Sequence, residues 1–417
     1  MARKSLGDNK NIQTGGQSSP PDSSIIEDRI WTKDFICIWI INLALSVWGF
    51  MIQAPFPFYI IHLGGSELLV GITAGAVSVA ALLMRPFAGW FLDNVSRSIL
   101  FFAGALLIII ASALLYFIPV LGVVIFLRII FGLSHSGTTT ASATNAVDAI
   151  PAKRFGEGLG FLGLGNTLGT ALGPALGLAI IGGIGFPPLF IVSGALMVVA
   201  LLASKGFSFR KISITKRKAV KLSSLFNKDA VPASVVLLLS SVPFGGVVIF
   251  VALYGEYYGI GHGAWYFVLL SVGTGTARLV TGRMIDKYGE QPMMIFGNGC
   301  FVLALVFLVL GSSAFYYLSG LFFGFGFGVL NPSMQAMAMR IIPPEKRGSA
   351  TSTFQCSFDI SGGIGGIIAG WLVTVWGYRQ MFGAMIIFIV ISAIAYAFWA
   401  AKTPSAFKVY NKNKPLS

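Results

Sequence analysis

Gly165-Asn166-Thr167-Leu168-Gly169-Thr170-Ala171-Leu172-Gly173-Pro174-Ala175-Leu176-Gly177 lies inside an apolar segment running from about Phe155 to Ile181. Gly165, Gly169, Gly173 and Gly177 recur every four residues. At helical geometry that spacing drifts slowly around one side and leaves a groove without side chains. Another helix can lie in it backbone to backbone. Pro174 removes a backbone donor and bends the helix at the groove. The stretch therefore predicts a membrane-spanning helix with one close neighbour and a bend, although ordinary membrane packing alone also yields such glycine runs.

The surrounding composition fits a membrane setting. Of 417 residues, 55% are hydrophobic and only 11% charged. A soluble chain carries about twice that charged fraction. Long apolar runs here span a bilayer rather than build a core. Cys37, Cys300 and Cys356 each sit in an apolar run without metal or redox spacing and read as packing residues. The reading includes no metal and no cofactor. Residues 1–29 are rich in Ser, Gly, Asn, Lys and Asp, contain no apolar region and read as a disordered tail rather than a signal peptide.

Twelve apolar segments follow: 34–61, 67–91, 98–118, 121–147, 154–181, 185–204, 231–258, 264–285, 292–312, 314–341, 348–375 and 379–401. Each is near or above the ~20 residues that a spanning helix needs. Arg97, Lys153 and Arg154, the run from Lys205 to Lys228, Arg283 and Lys287, Lys346 and Arg347, and the tail from Lys402 to Lys414 occupy alternate connections. The other connections are nearly free of Lys and Arg, with Arg379 as the exception. The positive-inside rule then places both termini and the central loop in the cytoplasm of a cell-membrane protein. The net charge of +14 is thus a topology signal, and the central basic loop faces anionic lipid headgroups rather than nucleic acid.

The second half repeats the first. Arg85-Pro86-Phe87-Ala88-Gly89-Trp90-Phe91-Leu92-Asp93 matches Arg278-Leu279-Val280-Thr281-Gly282-Arg283-Met284-Ile285-Asp286 at an offset of 193 positions. Ile150-Pro151 through Gly156 matches Ile342-Pro343 through Gly348 at an offset of 192. Two six-helix halves in parallel orientation follow from this repeat. The expected organisation is a disordered tail at 1–33, a first bundle at 34–205, a basic linker at 206–230, a second bundle at 231–402 and a tail at 403–417.

Three motifs resemble those of the major facilitator superfamily. The loop motif Gly-x-x-x-Asp-x-x-Gly-Arg appears as Gly89, Asp93, Ser96 and Arg97, with serine in place of its second glycine. Its echo is Gly282, Asp286, Gly289 and Glu290, with glutamate in place of arginine. The fourth-segment motif Arg-x-x-x-Gly appears as Arg128 and Gly132, with Phe131 where the family has glutamine. The fifth-segment antiporter motif appears as Gly165, Gly169, Gly173, Pro174 and Gly177, lacking its last glycine at Leu178. Pro55-Phe56-Pro57 is similar to the proline pair of the twelve-helix drug-antiporter branch. The resemblance implies an all-α membrane fold of twelve helices in two pseudo-symmetric six-helix bundles. It also implies proton-coupled export of small organic compounds, with the loop motif latching the halves on the cytoplasmic side, Arg128 serving proton transfer or the orienting of partners, and helices 1, 4, 7 and 10 lining a central cavity.

Ionisable groups inside a bilayer are costly and mark function. Asp359, in mid-segment eleven, is the leading proton carrier; its alternative is pairing with an arginine or bracing backbone. Arg128 and His135 are the assisting candidates. Arg128 reads equally as a hydrogen-bond hub, and His135 as a packing residue. Arg85 and Arg278 either join the loop network around Asp93 and Arg97 or snorkel to headgroups. Polar stripes at helical spacing nominate Asn42, Ser46, Gln53, Thr139, Asn331, Gln335 and Gln355 for the substrate cavity. Gly89, Asp93, Arg97, Gly282 and Asp286 are assigned to conformational gating, together with the glycine ladder and Pro174.

The expected function is a proton-driven exporter of amphipathic organic compounds working by alternating access, not an enzyme, and a monomer whose partners are its substrate, protons and lipid. A transporter of a polar metabolite, such as a sugar or a metal-chelating metabolite, is the alternative. A membrane sensor without turnover is the third reading; the short tails argue against it.

Overall fold

The computed structural model describes residues 30–151, 155–209, 227–342 and 347–406, without the side chains at 93, 94, 147, 148, 155–157, 159, 160, 283, 286 and 347–349. The expected N-terminal tail, most of the basic linker and the end of the C-terminal tail lie outside these residues. So do the gating side chains of Asp93 and Asp286.

Within the described residues the chain forms twelve long helices. The first half comprises α1 (Lys33–Gln53), α2 (Glu67–Asn94), α3 (Arg97–Phe117), α4 (Leu121–Ala149), α5 (Phe155–Ile184) and α6 (Phe186–Ser204). The second comprises α7 (Val231–Tyr257), α8 (Gly263–Tyr288), α9 (Glu290–Leu310), α10 (Ser313–Met339), α11 (Arg347–Trp376) and α12 (Tyr378–Phe398). A bilayer offers the backbone no hydrogen-bond partners, so each crossing satisfies its own N–H and C=O groups as a helix. Serine and threonine start several of them: Thr32, Ser66, Ser96 and Ser312 accept from the amides of Phe35, Leu69, Ile99 and Phe315. The connections α5–α6 and α11–α12 turn at Gly185 and Gly377, both at φ +85°, a left-handed conformation that a Cβ would strain. These two glycines are 192 positions apart, so the repeat extends to its turns.

The first segment departs from a single helix. It breaks at Ala54 and Pro55 and continues as a short helix, Phe56–His62. Pro55 and Pro57 lack the amides that would carry the ladder through. The eighth segment departs in composition. Eleven of the helices are long and apolar enough to cross a membrane, but α8 does not reach that hydropathy. Thr274, Thr276, Arg278, Thr281, Arg283, Asp286 and Lys287 all lie on it.

Helix contacts are duplicated between the halves. In the first half α1 packs on α4, α5 and α6, α2 on α4, and α3 on α4 and α6. Adding six to each label gives the principal contacts of the second half: α7 on α10, α11 and α12, α8 on α10, and α9 on α10 and α12. Two long seams join the halves, α2 with α11 and α5 with α8, and these are also repeat-equivalent.

The glycine ladder of α5 receives α1. A Cβ added at Gly173 would stand 2.8 Å from the Met51 amide nitrogen, at Gly177 2.7 Å from Pro55 Cγ, and at Gly169 2.9 Å from the Ser46 backbone carbon. Gly165 faces the Trp39 indole, which donates to the Phe161 carbonyl at 3.0 Å. The close contact read from the spacing is therefore made within the first half. Its counterpart in α11 is a ladder of small residues: Ser357, Ser361, Gly365 and Ala369, all 192 positions further on. Gly365 and Ala369 meet α7 at Val242 and Gly246. Small side chains let backbones approach, and dispersion over that contact replaces the hydrophobic drive that lipid removes.

Candidate functional site

Asp359 stands thirteen residues into the thirty of α11, on the seam with α2. Its carboxylate is paired with Arg85. Arg85 Nη2 donates to Oδ1 at 2.9 Å, and Nε donates to Oδ2. Both side chains are largely buried, at 21% and 14% exposure. An Arg–carboxylate fork holds two planar groups in one orientation. The pairing supplies the arginine partner weighed for Asp359, so any proton that Asp359 carries must be taken up by opening this pair. It also gives Arg85 a partner that neither expectation for it included. Sequence reading missed this partnership, because nothing in a linear chain sets residue 85 beside residue 359.

The α2–α11 seam above this pair is lined by glycine. Gly71 and Gly75 face Gly366, Gly370 and Ile367, and a Cβ at Gly363 would stand 2.8 Å from Ser78 Cβ. Below it, a Cβ at Gly89 would meet nothing within 4 Å among the described residues. Gly282, its repeat equivalent on α8, is likewise open. The tight part of each seam thus runs from the end remote from the chain termini to the level of the arginines. The expected gating glycines lie beyond it.

Arg128 is held elsewhere. It is 8% exposed, and its guanidinium carbon lies 4.1 Å from the centroid of the Phe56 ring. Among the described residues no hydrogen bond reaches its Nε. Its contact is thus with an aromatic face rather than with hydrogen-bond acceptors among the described residues. With Gln53, Thr73 and Ile249 it lines a small cavity between α1, α2, α4 and α7 at the end remote from the termini.

His135, two turns further along α4, faces α1. Its ring centroid is 5.3 Å from that of Trp48, and a Cβ on Gly49 would stand 3.3 Å from its Nε2. It is also in electrostatic reach of Arg85. The structure therefore pairs Asp359 with Arg85, sets His135 against Trp48 and Gly49, and leaves Arg128 apart.

The polar stripes divide. Asn42 donates to the Ile38 carbonyl at 2.8 Å and Thr139 to the His135 carbonyl at 2.7 Å, so each satisfies its own helix. Ser46 packs against Gly169 of α5. Gln53 lines the Arg128 cavity. Asn331 and Gln355 are half-buried and Gln335 is exposed, and none of the three forms a side-chain hydrogen bond among the described residues. An aromatic row joins α7, α10 and α11 and ends at Phe358, the neighbour of Asp359 in sequence. Phe244 of α7 stacks on Phe327 of α10 at 4.4 Å, and Phe327 meets the edge of Phe358 at 5.7 Å.

Glu290, the departure from the loop motif, has its own explanation. It is 1% exposed and forms a bidentate pair with Arg340, at 3.0 and 2.7 Å, while Arg340 also donates to the Ser405 carbonyl at 2.9 Å. The repeat-equivalent positions in the first half read Arg97 and Asp148. The two halves thus carry these residue types in opposite order.

Comparison with known proteins agrees with this geometry. The chain is 26% identical over 378 residues to the multi-drug resistance efflux pump PmrA of Streptococcus pneumoniae serotype 4, covering 85% of this chain and 92% of that one. It is 23% identical over 375 residues to the multidrug resistance protein MdtG of Proteus mirabilis, covering 84% and 92%. Its fold superposes on a crystal structure of the nucleoside transporter NupG with a TM-score of 0.71 at 15% identity, covering 87% and 98%. A POT family transporter in complex with 5-aminolevulinic acid superposes with 0.74 at 14%, covering 90% and 96%. The family profile of the Major Facilitator Superfamily matches residues 36–271 and 234–416. With duplicated six-helix packing, two equivalent seams and a match along nearly its whole length, the chain is a multi-pass membrane transporter that belongs to the Major Facilitator Superfamily.

Proposed function

We propose that the protein is a proton-coupled antiporter that exports small amphipathic organic compounds by alternating access. The observation that carries this reading is the Asp359–Arg85 pair, a carboxylate and a cation from opposite halves that meet inside the membrane. Protonation of Asp359 removes the charge that holds Arg85 and loosens the seam; loss of the proton restores it. A proton gradient thereby favours one orientation of the halves over the other. His135 stands on the Arg85 side of this pair and assists.

The substrate faces the Phe244–Phe327–Phe358 wall, with the free amides of Asn331, Gln335 and Gln355 supplying adaptable polar contacts. An aromatic wall with few fixed charges suits amphipathic rather than highly polar cargo. The names of PmrA, a multi-drug resistance efflux pump, and MdtG, a multidrug resistance protein, support export of drug-like compounds. Charge placement supports cytoplasmic termini in the cell membrane and a basic linker at anionic headgroups; the working unit in this reading is a monomer built as residues 34–205 and 231–402.

The test is transport in proteoliposomes with an imposed pH gradient. Proton movement that starts on adding an amphipathic cation, and stops in Asp359→Asn, supports the reading. Movement for a sugar or chelating metabolite alone sinks the substrate class. Wild-type rates in Asp359→Asn remove this carboxyl from coupling.

A further inference from the structure

The seam between α5 and α8 contains a second arginine clasp. Arg278 Nη1 donates to the Gly163 carbonyl at 3.1 Å and to Thr167 Oγ1 at 3.0 Å. Arg278 is the repeat equivalent of Arg85, 193 positions on, and Thr167 is the equivalent of Asp359, 192 positions back. The helix starts Phe155 and Arg347 carry the same offset of 192. Neighbouring contacts match as well. Ser271 donates to Thr170 Oγ1 at 3.2 Å, and their equivalents Ser78 and Gly362 face each other across the other seam, a Cβ on Gly362 standing 3.6 Å from Ser78 Oγ. The two arginines thus occupy one position in a duplicated interface, and only their acceptors differ.

We propose that Arg278 and Thr167 form a positioning clasp equivalent to Arg85 and Asp359, that the halves are held at two matched seams, and that the proton-sensitive contact is confined to the α2–α11 seam because only there is the acceptor a carboxyl. This rests on the proton-coupled reading for its last clause, and on geometry alone for the first two. The charged and titratable groups around the first pair are Cys356 on α11 and His135 from α4. Among the described residues Arg278 forms no ion pair, so its contact is a neutral one. A neutral hydroxyl and a backbone carbonyl hold at any pH. The cycle then breaks one seam by protonation and bends about the other.

The experiment is a pair of double-mutant cycles on the full-length protein in detergent, read as melting temperature at pH 8 and pH 5. One cycle combines Thr167→Asp with Arg278→Gln; the other combines Asp359→Asn with Arg85→Gln. The expected result is that Thr167→Asp raises the melting temperature by a few degrees with Arg278 present and lowers it in the Arg278→Gln background. The Asp359–Arg85 cycle is expected to show coupling of the same sign. If Thr167→Asp does not fold, Thr167→Val replaces it. Its effect is then expected to vanish in the Arg278→Gln background and to be the same at both pH values. Additive effects of residues 167 and 278 at both pH values overturn the clasp. No melt involves substrate or a proton gradient. Coupled melts with no proton movement in liposomes therefore reject antiport and leave the clasp standing, whereas additive melts with proton movement do the reverse.

Discussion

Arg85 and Asp359 hold each other across the boundary between the two halves of the molecule, with Nη2 donating to Oδ1 at 2.9 Å on a seam otherwise lined by glycine. Removing one member of a desolvated pair strands the other, at about 3 kcal/mol or more, whereas removing both releases that penalty. Asp359→Asn and Arg85→Gln are each expected to lower the melting temperature by several degrees, and the double variant to regain most of it. Transport driven by a pH gradient is expected to stay lost in all three. Recovery of driven transport in the double variant would show that the pair is structural only.

The α5 ladder predicts a sharp positional contrast. At Gly169 a leucine must displace the α1 backbone, and overpacking of this kind costs roughly 1–3 kcal/mol or more. At Gly182 of the same helix a Cβ meets nothing within 4 Å. Gly169→Leu is expected to abolish monodisperse protein in size-exclusion chromatography, and Gly182→Ala to leave it intact or slightly stabilised. Equal tolerance at both sites would remove the ladder from helix packing.

Glu290 and Arg340 should be exchangeable. Glu290→Arg alone sets two cations together in a buried site and is expected to destabilise by about 3 kcal/mol or more. Glu290→Arg with Arg340→Asp reproduces the residue types at positions 97 and 148 and is expected to recover most of the loss, read as thermal stability in detergent. Failure of the double exchange would mean that the Ser405 contact, rather than the charge pair, fixes Arg340.

Arg128 carries the opposite expectation. Its cation rests on the face of Phe56, a contact worth about 0.5–2 kcal/mol, and its Nε finds no acceptor among the described residues. Arg128→Gln removes a desolvated charge and should keep or raise the melting temperature, while substrate transport falls at least tenfold if the cavity it lines takes part. A large loss of stability would return Arg128 to a structural role.

Much of this architecture was legible before any coordinates. Hydrophobic length determined the crossings, because a bilayer core of fixed thickness demands about twenty apolar residues. The four-residue spacing of Gly165 to Gly177 determined that α5 presents a backbone groove, since helical periodicity is local. The offsets of 193 and 192 determined which residues are equivalent, and hence that Arg85 and Arg278 hold matching positions in the two halves. What the chain alone did not decide was the partner. The groove could receive any helix, and it receives α1. Asp359 was visible as a costly group, but its arginine lies 274 positions away on the other half. Thr167 looked like one more small residue until α8 brought Arg278 to it. Aromatic packing of Phe244, Phe327 and Phe358 likewise comes from three helices. Periodicity and burial preference act within a segment and can be read along it. Pairing across a seam depends on how two bundles dock, which is set by the summed packing of both and appears only in the folded molecule.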